Sequence, residues 1–204
     1  MSLADLILSA AKRTSNAELM VEVRQLGYLE APVCDFTPGT KDVWWKKLPD
    51  LMVVPLNMAL VPRVDFRDTG LPDNLFKVVA YDPPYVAMGG RTTSGIPEFM
   101  QRYGLVDVPP SPKKLQEEVI NPGLIEAARV ASKYVLVKNK DYISSGKLWR
   151  GIYETQLLAD SIGLVEVDYF TMVTGASIQP KGRRQVHARQ NSSRLTVFQV
   201  PKEK

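Results

Sequence analysis

The chain has 204 residues, 45% hydrophobic and 24% charged, the balance of one globular domain with a single buried core. Its one cysteine, Cys34, excludes an intramolecular disulfide, and its one histidine, His187, argues against a zinc or His-rich metal site. The net charge of +4 is mildly basic, but it is unevenly placed: Lys181 to Arg194 holds five Lys/Arg and no acid. No apolar run reaches the ~18 residues a membrane span needs, and the N-terminus lacks a signal-peptide pattern, so a soluble, cytoplasmic protein is expected.

In chain order, residues 3–12 and 16–27 carry apolar residues at helical spacing and predict two short helices. Ser15 or Asn16 is placed to cap the second, and Gly27 to end it. Ala31 to Phe36 is a short apolar run that breaks at Thr37-Pro38-Gly39-Thr40, a strand followed by a loop. Residues 51–56 predict a further strand, limited by Pro55. Val61 to Phe66 predicts a short one, and Phe76 to Tyr81 a fully buried one that stops at Asp82-Pro83-Pro84. Residues 86–111 have the Gly, Pro, Ser and Thr content of a long functional loop. Residues 112–131 are helical in period, with a break or two helices expected at Asn121-Pro122-Gly123. A strand at 134–138, a helix at 148–162 closed by Gly163, and strands at 165–173 and 195–200 complete the chain. Strands alternating with helices predict an α/β fold with a mostly parallel sheet, and the final pair, joined without a helix, is expected to be antiparallel. One domain, 1–204, is expected, with N-terminal helices in 1–30 and a basic connection at 174–194.

The densest chemical signal is Asp82-Pro83-Pro84-Tyr85. It follows a buried strand directly, at the carboxyl end where open α/β sheets bind ligands. The two prolines stiffen the turn. The bland alternative is a Pro-Pro turn that ends a strand, with Asp82 as its cap.

These residues resemble the catalytic signature of the amino-methylating DNA methyltransferases, which transfer a methyl group from S-adenosylmethionine to the exocyclic amine of adenine or cytosine. The resemblance covers most of residues 30–200. It looks closest to short stand-alone members of phage and actinobacterial type, in which a Gly-Gly-Arg loop and an R-x-V-H-A-R-like segment are expected. In this sequence they are Gly89-Gly90-Arg91 and Arg184-Gln185-Val186-His187-Ala188-Arg189. The resemblance implies a Rossmann-like class I methyltransferase fold, a seven-stranded sheet with an antiparallel C-terminal hairpin. It implies that Asp82, Pro83, Pro84 and Tyr85 are catalytic. Asp35, Thr37, Pro38 and Gly39 would lie under the methionine part of the cofactor, Asn57 at the ribose, and Asp65 and Phe66 at the adenine, with Asp68 as an alternative.

Two departures stand out: the cofactor loop has one glycine, and Asn57 replaces the usual acid. Arg91, Arg183, Arg184, His187, Arg189 and Asn191 are candidates for contact with DNA phosphates or base edges. Lys138 or Asp141 is expected to orient loops near the cleft, and Trp44 and Trp45 to pack. The implied cofactor is S-adenosylmethionine, and the implied partner is DNA, with adenine favoured. No membrane contact is expected; sequence discrimination is expected to be modest or to need a second subunit, and a homo-oligomer or a partner subunit is the expected assembly. The implied setting is the cytoplasm of a bacterium, or of a phage's host. RNA or protein methylation, and a degenerate fold that only binds nucleic acid or protein, are the alternative functions.

Overall fold

The computed structural model describes residues 8–12, 15–38, 44–56, 64–87, 111–173, 184–188 and 190–201. Nine strands are assigned among them: β1 (Ala11–Lys12), β2 (Val33–Asp35), β3 (Val53–Pro55), β4 (Phe76–Tyr81), β5 (Ala131–Asn139), β6 (Tyr142–Ser144), β7 (Lys147–Trp149), β8 (Val165–Val173) and β9 (Ser192–Gln199). The helices are α1 (Asn16–Gln25), α2 (Pro112–Leu115), α3 (Asn121–Val130) and α4 (Gly151–Ser161), with a π-helical turn, Gln116–Ile120, joining α2 to α3.

Seven strands form one sheet in the order β1-β8-β9-β5-β4-β2-β3, and β6 and β7 make a separate hairpin. Six strands of the sheet run parallel; β9 alone runs against its neighbours β5 and β8. This is the expected mostly parallel α/β sheet with an antiparallel C-terminal pair. Each face carries its own apolar layer. Cys34, Val79, Tyr81, Val135 and Val137 meet Leu115, Val119, Leu124 and Ala127 of the α2–α3 helix on one side. On the other, Val33, Val78, Leu136 and Val197 meet Leu19, Met20 and Val23 of α1, with Trp44, Trp45 and Leu48. Burying one such side chain contributes about 1.5–3 kcal/mol, so the two layers hold the sheet between them.

Local chemistry sets the helix ends. Ser15 caps α1 in a reciprocal box with Glu18, and Gly27, at a φ of +83°, turns the chain away.

Several sequence expectations need correction. The part of the 3–12 helix that is described is not helical: Ala11 and Lys12 form β1, which pairs in parallel with Thr171 and Met172 of β8. Hydrogen bonding to an open sheet edge outweighs helical spacing in so short a stretch. Within 61–66, the described residues enter a tight turn in which Asp65 bridges Asp68, because Asp65 grips Arg67 just beyond it.

Of the break or two helices expected at Asn121-Pro122-Gly123, two α-helical segments are present, α2 and α3, but the π-helical turn joins them without a break. The helix widens by one residue before the proline, with the Asn121 N–H donating to the Gln116 carbonyl, and it runs on to Val130. Pro122 cannot donate to the Glu118 carbonyl. Arg67 Nη1 approaches that oxygen at 3.4 Å, while the Tyr81 hydroxyl donates to the carbonyls of Val119 and Ile120 at 3.1 and 3.2 Å. The β6–β7 hairpin was not expected, and its residues fall partly in the region read as the start of a helix.

Candidate active site

All the parallel strands end at one edge of the sheet, so the segments that follow Asp35, Pro55, Tyr81, Asn139 and Val173 share it. Asp82-Pro83-Pro84-Tyr85 lies there, directly after β4. Pro83 and Pro84 are buried, and Asp82 and Tyr85 half-buried. The turn is fixed at both ends: the Asp82 N–H donates to Thr37 Oγ1 at 2.7 Å, and the Ala87 N–H donates to the Tyr142 hydroxyl at 3.1 Å. The loop after β2 and the β6–β7 hairpin therefore set its position.

The Asp82 carboxylate is unevenly satisfied. Oδ2 receives Lys138 Nζ at 3.4 Å, with the two side chains only 17% and 7% exposed. Oδ1 is buried and accepts no hydrogen bond among the described residues. Burial pushes the Asp82 pKa above the usual carboxylate range; Lys138, and to a smaller degree the Trp44 indole, oppose that rise. Lys138 Nζ also stands 5.7 Å from the centre of the Trp44 ring. Burial, and the Asp82 charge after it, raise the Tyr85 pKa, so its phenol stays protonated.

Asp35 organises the neighbouring loop. Its Oδ1 accepts the Thr37 N–H at 3.0 Å, and its Oδ2 accepts Trp45 Nε1 at 2.6 Å. Thr37 thus links Asp35 to Asp82, and Pro38 is half-buried beside it. Asp65 and Phe66 do other work. The Asp65 carboxylate accepts three N–H groups of Arg67, the backbone N–H, a shared Nε–H and Nη2 at 2.7 Å, while its side chain stays about a third exposed. Phe66 has no exposed surface and packs 5.6 Å from the Tyr81 ring, inside the core. Phe66 thus has no exposed side-chain surface, whereas Asp65 keeps part of its carboxylate exposed. Gly39, Asn57, Arg91, Arg183 and Arg189 lie outside the described residues.

Arg184 and His187 are exposed, and Asn191 is half-buried just before β9. Because β9 runs opposite to β8, the connection carrying them leaves and re-enters at the Asp82 edge. Lys140 Nζ, donating to the Gln190 carbonyl at 3.2 Å, ties that connection to the end of β5. Asp141, expected to orient a loop, accepts the Ile152 N–H at 3.1 Å and so fixes the start of α4. Asn139 adds to this by donating to the Gly151 carbonyl and to Thr155 Oγ1.

Trp44 and Trp45 are buried as expected, yet both face site carboxylates, a role their spacing did not reveal. Tyr142 belongs to the unforeseen hairpin. No cluster of His, Cys, Asp or Glu among the described residues could hold a metal ion. No helix among them is long and apolar enough to cross a membrane.

No family model matches the chain, and no curated protein matches it in sequence. Solved structures do resemble it in chain path. One is a Thermus thermophilus protein, provisionally named a DNA modification methylase and crystallised with S-adenosyl-L-methionine. It is 11% identical over 69% of this chain and 55% of its own, with a TM-score of 0.45. Another is a provisionally named RNA methyltransferase of Pyrococcus horikoshii, 14% identical over 91% and 82%, with a TM-score of 0.48. The PvuII DNA methyltransferase, specific for cytosine N4, is 13% identical over 68% and 48%, with a TM-score of 0.46. This chain thus spans about half the length of the two DNA-modifying proteins.

Proposed function

We propose that this protein is an S-adenosylmethionine-dependent methyltransferase acting on an exocyclic amino group in DNA, with adenine favoured over cytosine. The observation that carries the reading is the Asp82 carboxylate: it sits at the ligand-binding edge of the sheet, with one buried oxygen left without a donor among the described residues. Buried polar atoms are almost always paired, and an unpaired carboxylate oxygen costs about 1–3 kcal/mol or more. An oxygen reserved for a substrate N–H accounts for that cost.

An exocyclic amine is a poor nucleophile because its lone pair is delocalised into the ring. Asp82 Oδ1 and the Pro83 carbonyl accept its two N–H bonds, which draws the nitrogen towards tetrahedral geometry and frees the lone pair. The Thr37 and Tyr142 anchors hold these acceptors in place beforehand, so little reorganisation is needed as charge develops. Tyr85 supplies the face on which a flipped-out base stacks. S-adenosylmethionine, when bound, supplies an electrophilic methyl group.

On the cofactor side, Asp35 and the Thr37-Pro38 backbone are suitably placed beside Asp82. Gly39 and Asn57 are assigned by the resemblance alone. Asp65, held by Arg67 but still partly exposed, is the acceptor for an adenine amine, with Asp68 as the alternative. Arg91, Arg183, Arg184, His187, Arg189 and Asn191 provide the charge and polar groups for phosphates and base edges. Target recognition beyond these contacts belongs to a second subunit or a second copy of the chain.

The engagement of Asp65 by Arg67 favours one other reading, a degenerate fold that binds nucleic acid or protein without turnover. Calorimetric titration with S-adenosylmethionine and S-adenosylhomocysteine separates the two. An enzyme binds both in the micromolar range. A folded protein that binds neither, with and without DNA present, is the degenerate module.

A further inference from the structure

The buried ammonium of Lys138 has one carboxylate partner described, and that partner is Asp82. An unpaired cation at 7% exposure is costly, so the pair forms because both groups are withdrawn from water together. The pairing is one-sided, with Nζ reaching Oδ2 while Oδ1 receives nothing among the described residues. Lys138 is fixed by its place in β5, where Val137 and Lys138 pair with Thr196 and Leu195 of β9. Its charge faces the Trp44 ring on one side, and it acts on Lys140, whose pKa falls through burial and then through repulsion by Lys138.

We propose that Lys138 is the positioning residue for Asp82: by holding Oδ2, its ammonium fixes the carboxylate with Oδ1 as the acceptor and restricts the site to an uncharged amino group. This rests on the catalytic assignment of Asp82. A cation already beside the acceptor repels a second one, since like charges a few ångströms apart at low dielectric interact by several kcal/mol. An alkylammonium, such as a protein lysine, is therefore a poor substrate, whereas the neutral conjugated amine of a base or the amide of a glutamine is tolerated. The groups facing Asp82 are Lys138 from β5, Thr37 from the segment after β2, the Trp44 indole from the loop beyond it, and Tyr85 from its own turn. Among these, Lys138 is the cation.

Lys138→Met and Lys138→Arg test this in two ways. The first needs no activity: the Asp82 carboxyl carbon is titrated by ¹³C NMR in each protein, with Asp82→Asn identifying the resonance. Lys138→Met is expected to move the midpoint up by one pH unit or more, and Lys138→Arg to return it close to the parent value. An unmoved midpoint in a folded Lys138→Met protein overturns the pairing, whether or not the protein methylates anything. The second is methyl transfer to DNA as a function of pH. Lys138→Met is expected to lower kcat at least tenfold and to displace the acid limb upwards, with KM for DNA within about twofold, and Lys138→Arg to recover most of kcat. A rise in KM with kcat and the acid limb unchanged would make Lys138 a phosphate contact and refute the positioning role. Absence of transfer to DNA by the parent protein, with the NMR shift intact, contradicts the proposed DNA substrate, while the ion pair and the positioning it gives Asp82 stand on the NMR result.

Discussion

Asp82 is a carboxylate whose two oxygens have different surroundings, and the proposed chemistry depends on that difference. Oδ2 is committed to Lys138, so Oδ1 and the Pro83 carbonyl are the pair of acceptors for an amine. The raised pKa sets a sign for activity: Asp82 must be ionised to accept, so transfer falls as pH drops through a value above the usual carboxylate range. Gly123 shows how little room lies beneath the site. A β-carbon there would stand 2.6 Å from Tyr81 Cζ and 2.9 Å from Phe66 Cδ2. Gly123→Ala therefore pushes the Tyr81 hydroxyl off the Val119 and Ile120 carbonyls and overpacks the core. A loss of about 1–3 kcal/mol in urea unfolding is expected. An unchanged midpoint would show that the helix yields instead of the ring.

At the scale of elements, the α2–α3 helix and the segment that leads into β4 are fastened together by one carboxylate. Glu126 Oε1 accepts the Thr69 N–H and hydroxyl at 2.8 and 2.5 Å, and both oxygens receive Arg129, which also holds the Leu71 carbonyl and Asp73. Arg129 first, and Thr69 after it, hold the Glu126 pKa down at about 2 against the opposing effect of burial. A depressed folded-state pKa contributes stability that is present above the unfolded value near 4.5 and is lost as pH falls towards 2. Glu126→Gln is expected to melt below the parent protein at pH 7, with the gap closing between pH 4.5 and 2. Thermal melts across that range, in high salt to screen the exposed Glu30 pairs with Lys77 and Lys133, read it directly. A gap that is the same at pH 7 and pH 2 would contradict the ionic role. The sequence shows Asn121-Pro122-Gly123 as a helix break because the proline's missing N–H is visible there. The Arg67 guanidinium that reaches the Glu118 carbonyl, and the Tyr81 hydroxyl on the next two carbonyls, come from far earlier in the chain, and local sequence does not carry them.

Over the whole molecule, the strands with buried apolar runs were legible, because burial on both faces leaves a continuous hydrophobic signature at β4 and in the middle of β5. Strand β1 was not, since two residues carry no period and their place is decided by an open edge of β8. Asp82-Pro83-Pro84-Tyr85 was legible because its residues are adjacent in sequence and follow a buried strand. Lys138, Trp44 and Tyr142 act on that turn from β5, from the loop after β2 and from the β6–β7 hairpin. They come together only when the parallel strands end at a common edge, so the sequence alone points to Asp82 and not to what holds it.

The most direct measurement is transfer of a labelled methyl group from S-adenosylmethionine to unmethylated DNA, with the modified nucleoside identified by mass spectrometry, for the parent protein and for Asp82→Ala. A methylated exocyclic amine is expected with the parent protein, and a loss of about 10²-fold or more with Asp82→Ala, its cofactor binding retained. Equal transfer by the two proteins would contradict the catalytic role of Asp82. No transfer to DNA by a parent protein that binds the cofactor would contradict DNA as its substrate.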